Sequence, residues 1–263
     1  MEKRLDVSII MPALNEEKNI EDAILSCLSA IDKIGIDGEI IAVNDGSTDQ
    51  TEALIRAYMK RDPRVWIINH DRPLGIGASF WDGVDKARGN FVVMLPGDNE
   101  NDPMEILRYY SLLNSVDIVI PFLFNKQVRP LFRNILSFIY RVIVNTTFLV
   151  NFNYTNGTVL YRKGVIDELE YRSDGFFFQT DILVRTVRRG YLFAEVPYRL
   201  GTRSQGVSKA VTFPNLFQVI RGYFRLVRDI NFQPKSRMPK AFVEGSQTAN
   251  RHQVGENGEG IGS

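Results

Sequence analysis

The sequence predicts an α/β fold with a mostly parallel, doubly wound sheet flanked by helices. Three observations carry that prediction. Short β-branched runs recur at residues 7–10, 40–43, 65–68, 91–95 and 118–120. Segments with apolar residues at three- and four-residue spacing lie between them, at 17–31, 48–58, 78–87 and 104–113. A polar loop follows the first, second and fourth runs, where ligands bind in sheets of this kind.

The elements follow in order. Each β-branched run is too short for a buried helix and lacks the apolar–polar alternation of a half-exposed strand, so each reads as a buried strand. The four intervening segments carry one apolar face each, which gives the order βαβαβαβαβ and parallel strands joined by crossovers. The second half changes character. Residues 131–150 predict a long, very apolar helix carrying Arg133 and Arg141, followed by a strand at 159–161, a helix at 180–189 and a strand at 193–197. Residues 213–227 predict another apolar helix, with Arg221, Arg225 and Arg228 on or just beyond it. One domain is expected over 1–232, divided into halves at 1–122 and 123–232. From Gln233 the composition turns to Gly, Ser, Gln and Asn, which predicts a disordered tail over 233–263.

Composition narrows the chemistry. The 263 residues are 44% hydrophobic and 24% charged, with 32 Lys and Arg against 31 Asp and Glu, which excludes a collagen, a coiled coil and a fully disordered chain. A net charge of +1 argues against a nucleic-acid partner bound by bulk phosphate neutralisation. The lone Cys27 cannot form an intrachain disulfide, and His70 and His252 are too few for a Cys/His zinc site. Residues 1–6 are charged and run straight into the first strand without an apolar leader, so a cytoplasmic protein is expected. The apolar window 135–150 is interrupted by Arg141, Asn145, Thr146 and Thr147, so no membrane-spanning anchor is expected.

The loops hold the candidate site. Pro12-Ala13-Leu14-Asn15-Glu16 follows the first strand, with Asn15 a candidate helix N-cap and Glu16 placed where helix-start amides favour a carboxylate. Asn44-Asp45-Gly46-Ser47 follows the second, with Ser47 or Thr48 as the next N-cap and Asp45 able to accept from a base N–H or a ribose hydroxyl. Gly97-Asp98-Asn99-Glu100-Asn101-Asp102-Pro103 follows the fourth. Two readings fit this last loop. Asp98 and Glu100 would share a hard divalent cation, Mg²⁺ or Mn²⁺, or Asp98 starts a turn while Asp102 caps the helix opened by Pro103. Gly75-Ile76-Gly77-Ala78 opens a helix, but Phe80 stands at the third glycine of a dinucleotide fingerprint and no P-loop is present.

Together these segments resemble the inverting glycosyltransferases of family 2, especially the polyprenyl-phosphate branch exemplified by dolichyl-phosphate mannosyltransferases. The resemblance rests on residues 7–16, 43–49, Gly75 to Ala78 with Gly83, 98–103, Tyr161-Arg162, and Gly190-Tyr191 through Glu195-Val196-Pro197 to Arg203-Ser204-Gln205-Gly206-Val207-Ser208-Lys209. It implies a Rossmann-like nucleotide-diphospho-sugar transferase (GT-A) fold with a nucleotide-binding first half and an acceptor- and membrane-facing second half. By the same resemblance, Pro12, Ala13, Leu14, Glu16, Val43 and Asp45 bind the nucleotide, and Asp98 and Glu100 hold the metal. Arg203 clamps the donor diphosphate, with Ser208 and Lys209 shaping its loop, and Arg133 and Ser137 bind the acceptor phosphate, assisted by Arg129 or Lys126. Two positions depart from the family pattern. Pro96 stands where the first Asp of Asp-x-Asp-x-Gln is usual, with Glu100 at the Gln, and Asn44 replaces a common Asp.

The implied function is transfer of a sugar from a GDP- or UDP-sugar to a polyprenyl phosphate, such as a dolichyl or undecaprenyl phosphate, by a metal-dependent hexosyltransferase. A phosphate acceptor is already anionic near neutral pH and needs no general base. A saccharide hydroxyl acceptor would need one, for which Asp181 is the candidate. A non-catalytic nucleotide-sugar-binding relative is the third reading, motivated by Pro96 and Asn44. The apolar, arginine-bearing segments at 135–150 and 213–227 imply peripheral association with the cytoplasmic face of the membrane.

Overall fold

The computed structural model describes residues 4–125, 127, 129–155, 157–199, 213–232 and 241–259. Seven strands form one sheet: β1 (Leu5–Ala13), β2 (Gly38–Asn44), β3 (Val65–Asn69), β4 (Gly89–Met94), β5 (Ile118–Leu123), β6 (Leu160–Arg162) and β7 (Phe193–Tyr198), in the order β3-β2-β1-β4-β6-β5-β7. The helices are α1 (Ile20–Ile34), α2 (Thr51–Met59), α3 (Ile76–Lys86), α4 (Pro103–Leu107), α5 (Leu131–Phe148), α6 (Lys163–Asp167), α7 (Phe178–Arg188), α8 (Phe213–Phe232) and α9 (Gln247–Glu259). The expected α/β sheet is present, and its order reverses at β1, between β2 and β4, where a doubly wound sheet binds its ligand.

The period of two along β1 divides the core. Val7, Ile9 and Met11 face one layer with α1, α2 and α4, whereas Ile10 faces the other with α3, α6 and α7. Every residue of β2 is buried, as a central parallel strand covered on both faces requires. α1 ends at Gly35, whose φ of 73° is the left-handed conformation that suits glycine there. The segment 104–113 is not one helix. α4 stops at Leu107 and a 3-10 turn covers Tyr110–Asn114. β6 runs antiparallel to both neighbours, β4 and β5, which inserts one reversed strand from later in the chain between them.

The expected disorder beyond Gln233 is corrected for residues 241–259. Phe242 packs edge-on against Tyr191 with ring centroids 5.3 Å apart and stacks on His252 at 4.9 Å. The start of α9 docks on Asp117, a fully buried carboxylate at the foot of β5. Asp117 accepts from the Gln247 amide at 2.7 Å, the Thr248 amide at 3.0 Å, the Thr248 hydroxyl at 2.5 Å and Arg162 Nε at 2.8 Å. A handful of contacts fixes a segment whose average composition is that of a linker.

Candidate donor and acceptor sites

The parallel strands bring three loops to one edge of the sheet. The Asp45 amide donates to the Ala13 carbonyl at 2.9 Å, and the Gly97 amide donates to Pro12 at 2.9 Å. The loop after β1 is therefore flanked by the loops after β2 and β4, and Pro12, Ala13, Leu14, Glu16, Val43, Asp45 and Asp98 share one region. Pro12, Ala13 and Val43 are buried there. Leu14, Glu16 and Asp98 are half-buried at its rim.

The first two loops are laced together. Asn15, at φ 55°, accepts from the Thr48 amide at 2.8 Å and donates its own amide to Ser47 Oγ at 3.0 Å. The Glu16 amide donates to Thr51 Oγ1 at 2.8 Å. Asn15 is thus a bridge, and the residue preceding α1 is Asn19. Neither Ser47 nor Thr48 caps α2; the N-cap is Gln50, without a side-chain capping bond, and Asp49 just before it accepts from the Thr51 amide at 3.0 Å and the Thr51 hydroxyl at 2.6 Å, and from the Glu17 amide at 3.2 Å. Burial opposes the Asp49 charge, but those hydrogen bonds outweigh it and hold its carboxyl below the ordinary value. A lowered pKa stabilises the fold fully above the ordinary carboxylate range, near about 4, and that stabilisation is lost as pH falls through the lowered value. Asp49→Asn is expected to flatten the acid limb of a melting-temperature profile below about pH 4; an unchanged acid limb would show that the lacing contributes nothing.

Asn44 turns away from the rim. It donates to Asn69 Oδ1 at 2.9 Å and accepts from the Ser47 amide at 3.2 Å, pinning β2 to β3 and the turn to its strand. Gly46, at φ 72°, lies so close to the next loop that a Cβ would sit 2.6 Å from the Arg72 carbonyl carbon.

The acidic loop shows the turn-and-cap reading directly. Asp98 Oδ1 accepts from the Glu100 amide at 3.1 Å, and Asp102 Oδ1 accepts from the Met104 amide at 2.9 Å with Pro103 in the first turn. No group of three or more His, Cys, Asp or Glu side chains suited to a metal occurs among the described residues. Two hard oxygen donors on one partly exposed loop nonetheless fit Mg²⁺ or Mn²⁺, which are commonly held by one or two carboxylates together with substrate phosphates and water.

Glu100 also acts on the second half. Burial disfavours the charge of Arg129, but Tyr154, with Tyr198 and Glu100, outweighs it and raises the guanidinium pKa. Arg129 donates to the Tyr154 hydroxyl at 3.0 Å, and with Asn134, Ser137, Arg141 and Asn153 it lines a small cavity of about 40 Å³. Ser137 therefore shares one cavity with Arg129 and Arg141. Arg133 is half-buried one turn earlier on α5 and does not line this cavity; Arg129, expected as an assistant, and Arg141, whose signal in the sequence was only charge on an apolar helix, do. Arg203, Lys126, Ser208 and Lys209 lie outside the described residues. Asp181 is 1% exposed and paired with Arg185 Nε at 2.9 Å. Burial raises its pKa against the pull of Arg185, so it is a buried ion-pair member and not a base facing an acceptor.

Beside these sites α5 and α8 pack together through Thr147 and the Tyr223 hydroxyl at 2.7 Å and through Phe148 against the Tyr223 ring. Their other faces expose Leu131, Phe132, Ile135, Phe138, Phe217 and Phe224, among others. No helix of the described residues is long and apolar enough to cross a membrane.

The chain is 27% identical over 170 residues to a dodecaprenyl-phosphate galacturonate synthase of Rhizobium johnstonii, covering 63% of this chain and 50% of that protein. It is 25% identical over 233 residues to a dolichol-phosphate mannosyltransferase of Pyrococcus furiosus, covering 85% and 64%. An uncharacterized glycosyltransferase of Bacillus subtilis, YkcC, is 33% identical over 107 residues, covering 41% and 33%. The chain thus spans between one third and just under two thirds of the length of these relatives. Among solved structures, glucosyl-3-phosphoglycerate synthase of Mycobacterium tuberculosis, in complex with Mn²⁺, UDP and glucosyl-3-phosphoglycerate, superposes with a TM-score of 0.65 at 20% identity, covering 85% of this chain and 80% of that one. That likeness shows a shared GT-A fold. Residues 8–170, more than half of the sequence and including all three loops of the donor edge, match the profile of glycosyl transferase family 2, and the chain belongs to that family.

Proposed function

We propose that this protein is an inverting glycosyltransferase that moves a sugar from a nucleotide diphosphate to a polyprenyl phosphate at a membrane surface. The observation that carries the proposal is the cationic cavity of the second half. Arg129 and Arg141 line it together with Ser137, in a chain whose polar loops after β1, β2 and β4 lie within the family match. The polyprenyl-phosphate enzymes among the relatives support that acceptor, and UDP and Mn²⁺ in the structural neighbour support a nucleotide donor and a divalent metal.

The chemistry follows from charge and position. A phosphate monoester, with a second pKa of about 6, is an anionic nucleophile near neutral pH and requires no base, in keeping with the burial of Asp181. Arg129 and Arg141 would hold its oxygens, with Ser137 donating a hydrogen bond, and aim one oxygen at the anomeric carbon. Asp98 and Glu100 would hold Mg²⁺ or Mn²⁺, which when bound neutralises charge on the leaving diphosphate. Pro12, Ala13 and Val43 shape the floor under the nucleoside, Leu14 and Glu16 flank it, and Asp45 accepts from it. Arg133 would guide the lipid phosphate towards the cavity, and Arg203 would add a forked contact to the diphosphate. The exposed faces of α5 and α8 favour a lipid over a small soluble phosphate, because an apolar patch of this kind next to a cationic pocket suits an interface.

The test has two stages. At nucleotide concentrations about 100-fold above Kd, either UDP or GDP with Mn²⁺ is expected to raise the melting temperature by about 5–10 °C, and to do less without metal. The sugars of the responding nucleotide are then offered with polyprenyl phosphate, 3-phosphoglycerate or a saccharide. Transfer to the lipid alone supports the proposal; transfer to phosphoglycerate or to the saccharide instead overturns its acceptor.

A further inference from the structure

The histidine at the end of β3 has no assigned role. His70 follows β3 directly, and its side chain is only 6% exposed. Nδ1 lies 2.7 Å from Asp45 Oδ1, and Nε2 lies 2.9 Å from Asp82 Oδ2 on α3. Asp45 is otherwise held by backbone. The Leu74 amide donates to Oδ1 at 2.7 Å and the Gly75 amide donates to Oδ2 at 3.0 Å. Two donors therefore occupy Oδ1 and one occupies Oδ2. A carboxylate offers about four lone-pair positions, so these contacts leave acceptor capacity on Oδ2 alone, and they fix the direction in which it points.

We propose that His70 is a positioning residue for the donor site, holding the Asp45 carboxylate so that Oδ2 is presented to an N–H or hydroxyl group of the nucleoside. The inference rests on the reading of Asp45 as a nucleotide contact. Asp82 orients the imidazole from the other side, so the chain Asp82–His70–Asp45 ties α3 to the loop after β2. The Leu74 and Gly75 amides hold one oxygen each from the backbone, and among the described residues the imidazole is the side chain recorded against Asp45. A loosened Asp45 would cost donor affinity, because a bond that is not preorganised must be ordered on binding.

Two substitutions separate positioning from packing. In His70→Asn the side-chain nitrogen falls near the place of Nδ1 and can still donate to Asp45; in His70→Gln it falls near Nε2 and keeps only the Asp82 side. Nucleotide binding to the whole chain is measured by calorimetry with UDP and with GDP in the presence of Mn²⁺, alongside melting temperatures. The expected result is that His70→Gln weakens the responding nucleotide about tenfold, equivalent to about 1.4 kcal/mol, while His70→Asn binds within about twofold of the native protein at a similar melting temperature. Equal affinity in both variants, or equal loss in both, overturns the positioning role while leaving the donor site standing. Failure of the native protein to bind either nucleotide overturns the donor-site reading itself, and this inference with it. Should His70→Gln fail to fold, Asp82→Asn is the second variant; it leaves the Asp45 contact in place, and a loss smaller than about threefold is expected, whereas a loss of about tenfold or more overturns the inference.

Discussion

Asp98→Ala is expected to lower kcat for sugar transfer by about 10²–10³ while changing stability by less than about 0.5 kcal/mol. The side chain is half-buried on a loop, and it accepts a hydrogen bond from the Glu100 amide. Asparagine can keep that turn, because its side-chain oxygen accepts in the same way, but it carries no charge. Asp98→Asn therefore distinguishes the two readings of this loop. If Asp98 holds a divalent cation against the leaving diphosphate, Asn is nearly as damaging as Ala, and added Mn²⁺ partly restores turnover. If Asp98 only shapes the turn, Asn behaves as the native protein. Native turnover in both variants would remove Asp98 from the reaction altogether. Pro96 makes the experiment sharper, since no carboxylate stands two residues earlier to compensate.

Asp117→Asn is expected to destabilise the protein by about 3–5 kcal/mol, because it leaves the buried Arg162 without its counter-charge. Arg162 is only 16% exposed at the side chain and lies over the Phe91 ring, so water can replace the lost carboxylate only poorly. Asparagine also offers one acceptor oxygen where the carboxylate serves four donors. For a chain of this size such a loss corresponds to a fall of about 10 °C in melting temperature. Thr248→Val, which removes the hydroxyl that donates to Asp117 and accepts from the Leu192 amide but leaves the charge pair intact, is expected to cost about 1–2 kcal/mol. Urea titration measures both. A change below about 0.5 kcal/mol in Asp117→Asn would mean that the docked C-terminal segment contributes nothing to stability.

Much of the architecture was legible because buried parallel strands announce themselves. Residues 7–10 and 40–43 could only be strands covered on both faces, and polar loops after them could only lie at one edge. What escaped is whatever depends on partners distant in sequence. Nothing in residues 159–161 states that the strand runs antiparallel, since strand direction is set by where the chain re-enters the sheet. Asn15 and Ser47 both look like helix caps in isolation; in the fold they bond to each other's loops. Residues 104–113 have helical spacing, but the helix breaks where the chain turns into β5. The tail misled for a similar reason, since composition averages over a segment in which Phe242, Ser246 and Thr248 alone decide docking. At the acceptor side, charge on an apolar helix was readable, but which arginine meets Ser137 depends on the path of the chain before α5.

The bond between Asp117 and Thr248 spans 131 residues, and it sets an order on synthesis. A ribosome delivers β1 to β4 with their crossover helices early, and that half can pair as it emerges. β5 then leaves the exit tunnel with its buried carboxylate unsatisfied, and the partner amides arrive only after nearly half of the chain has followed. Vectorial folding can complete the nucleotide half early, whereas the second half must wait. Nascent chains arrested before residue 248 would present an unfinished β5 and the apolar faces of α5 and α8 together, which makes that interval the one in which a chaperone has most to bind.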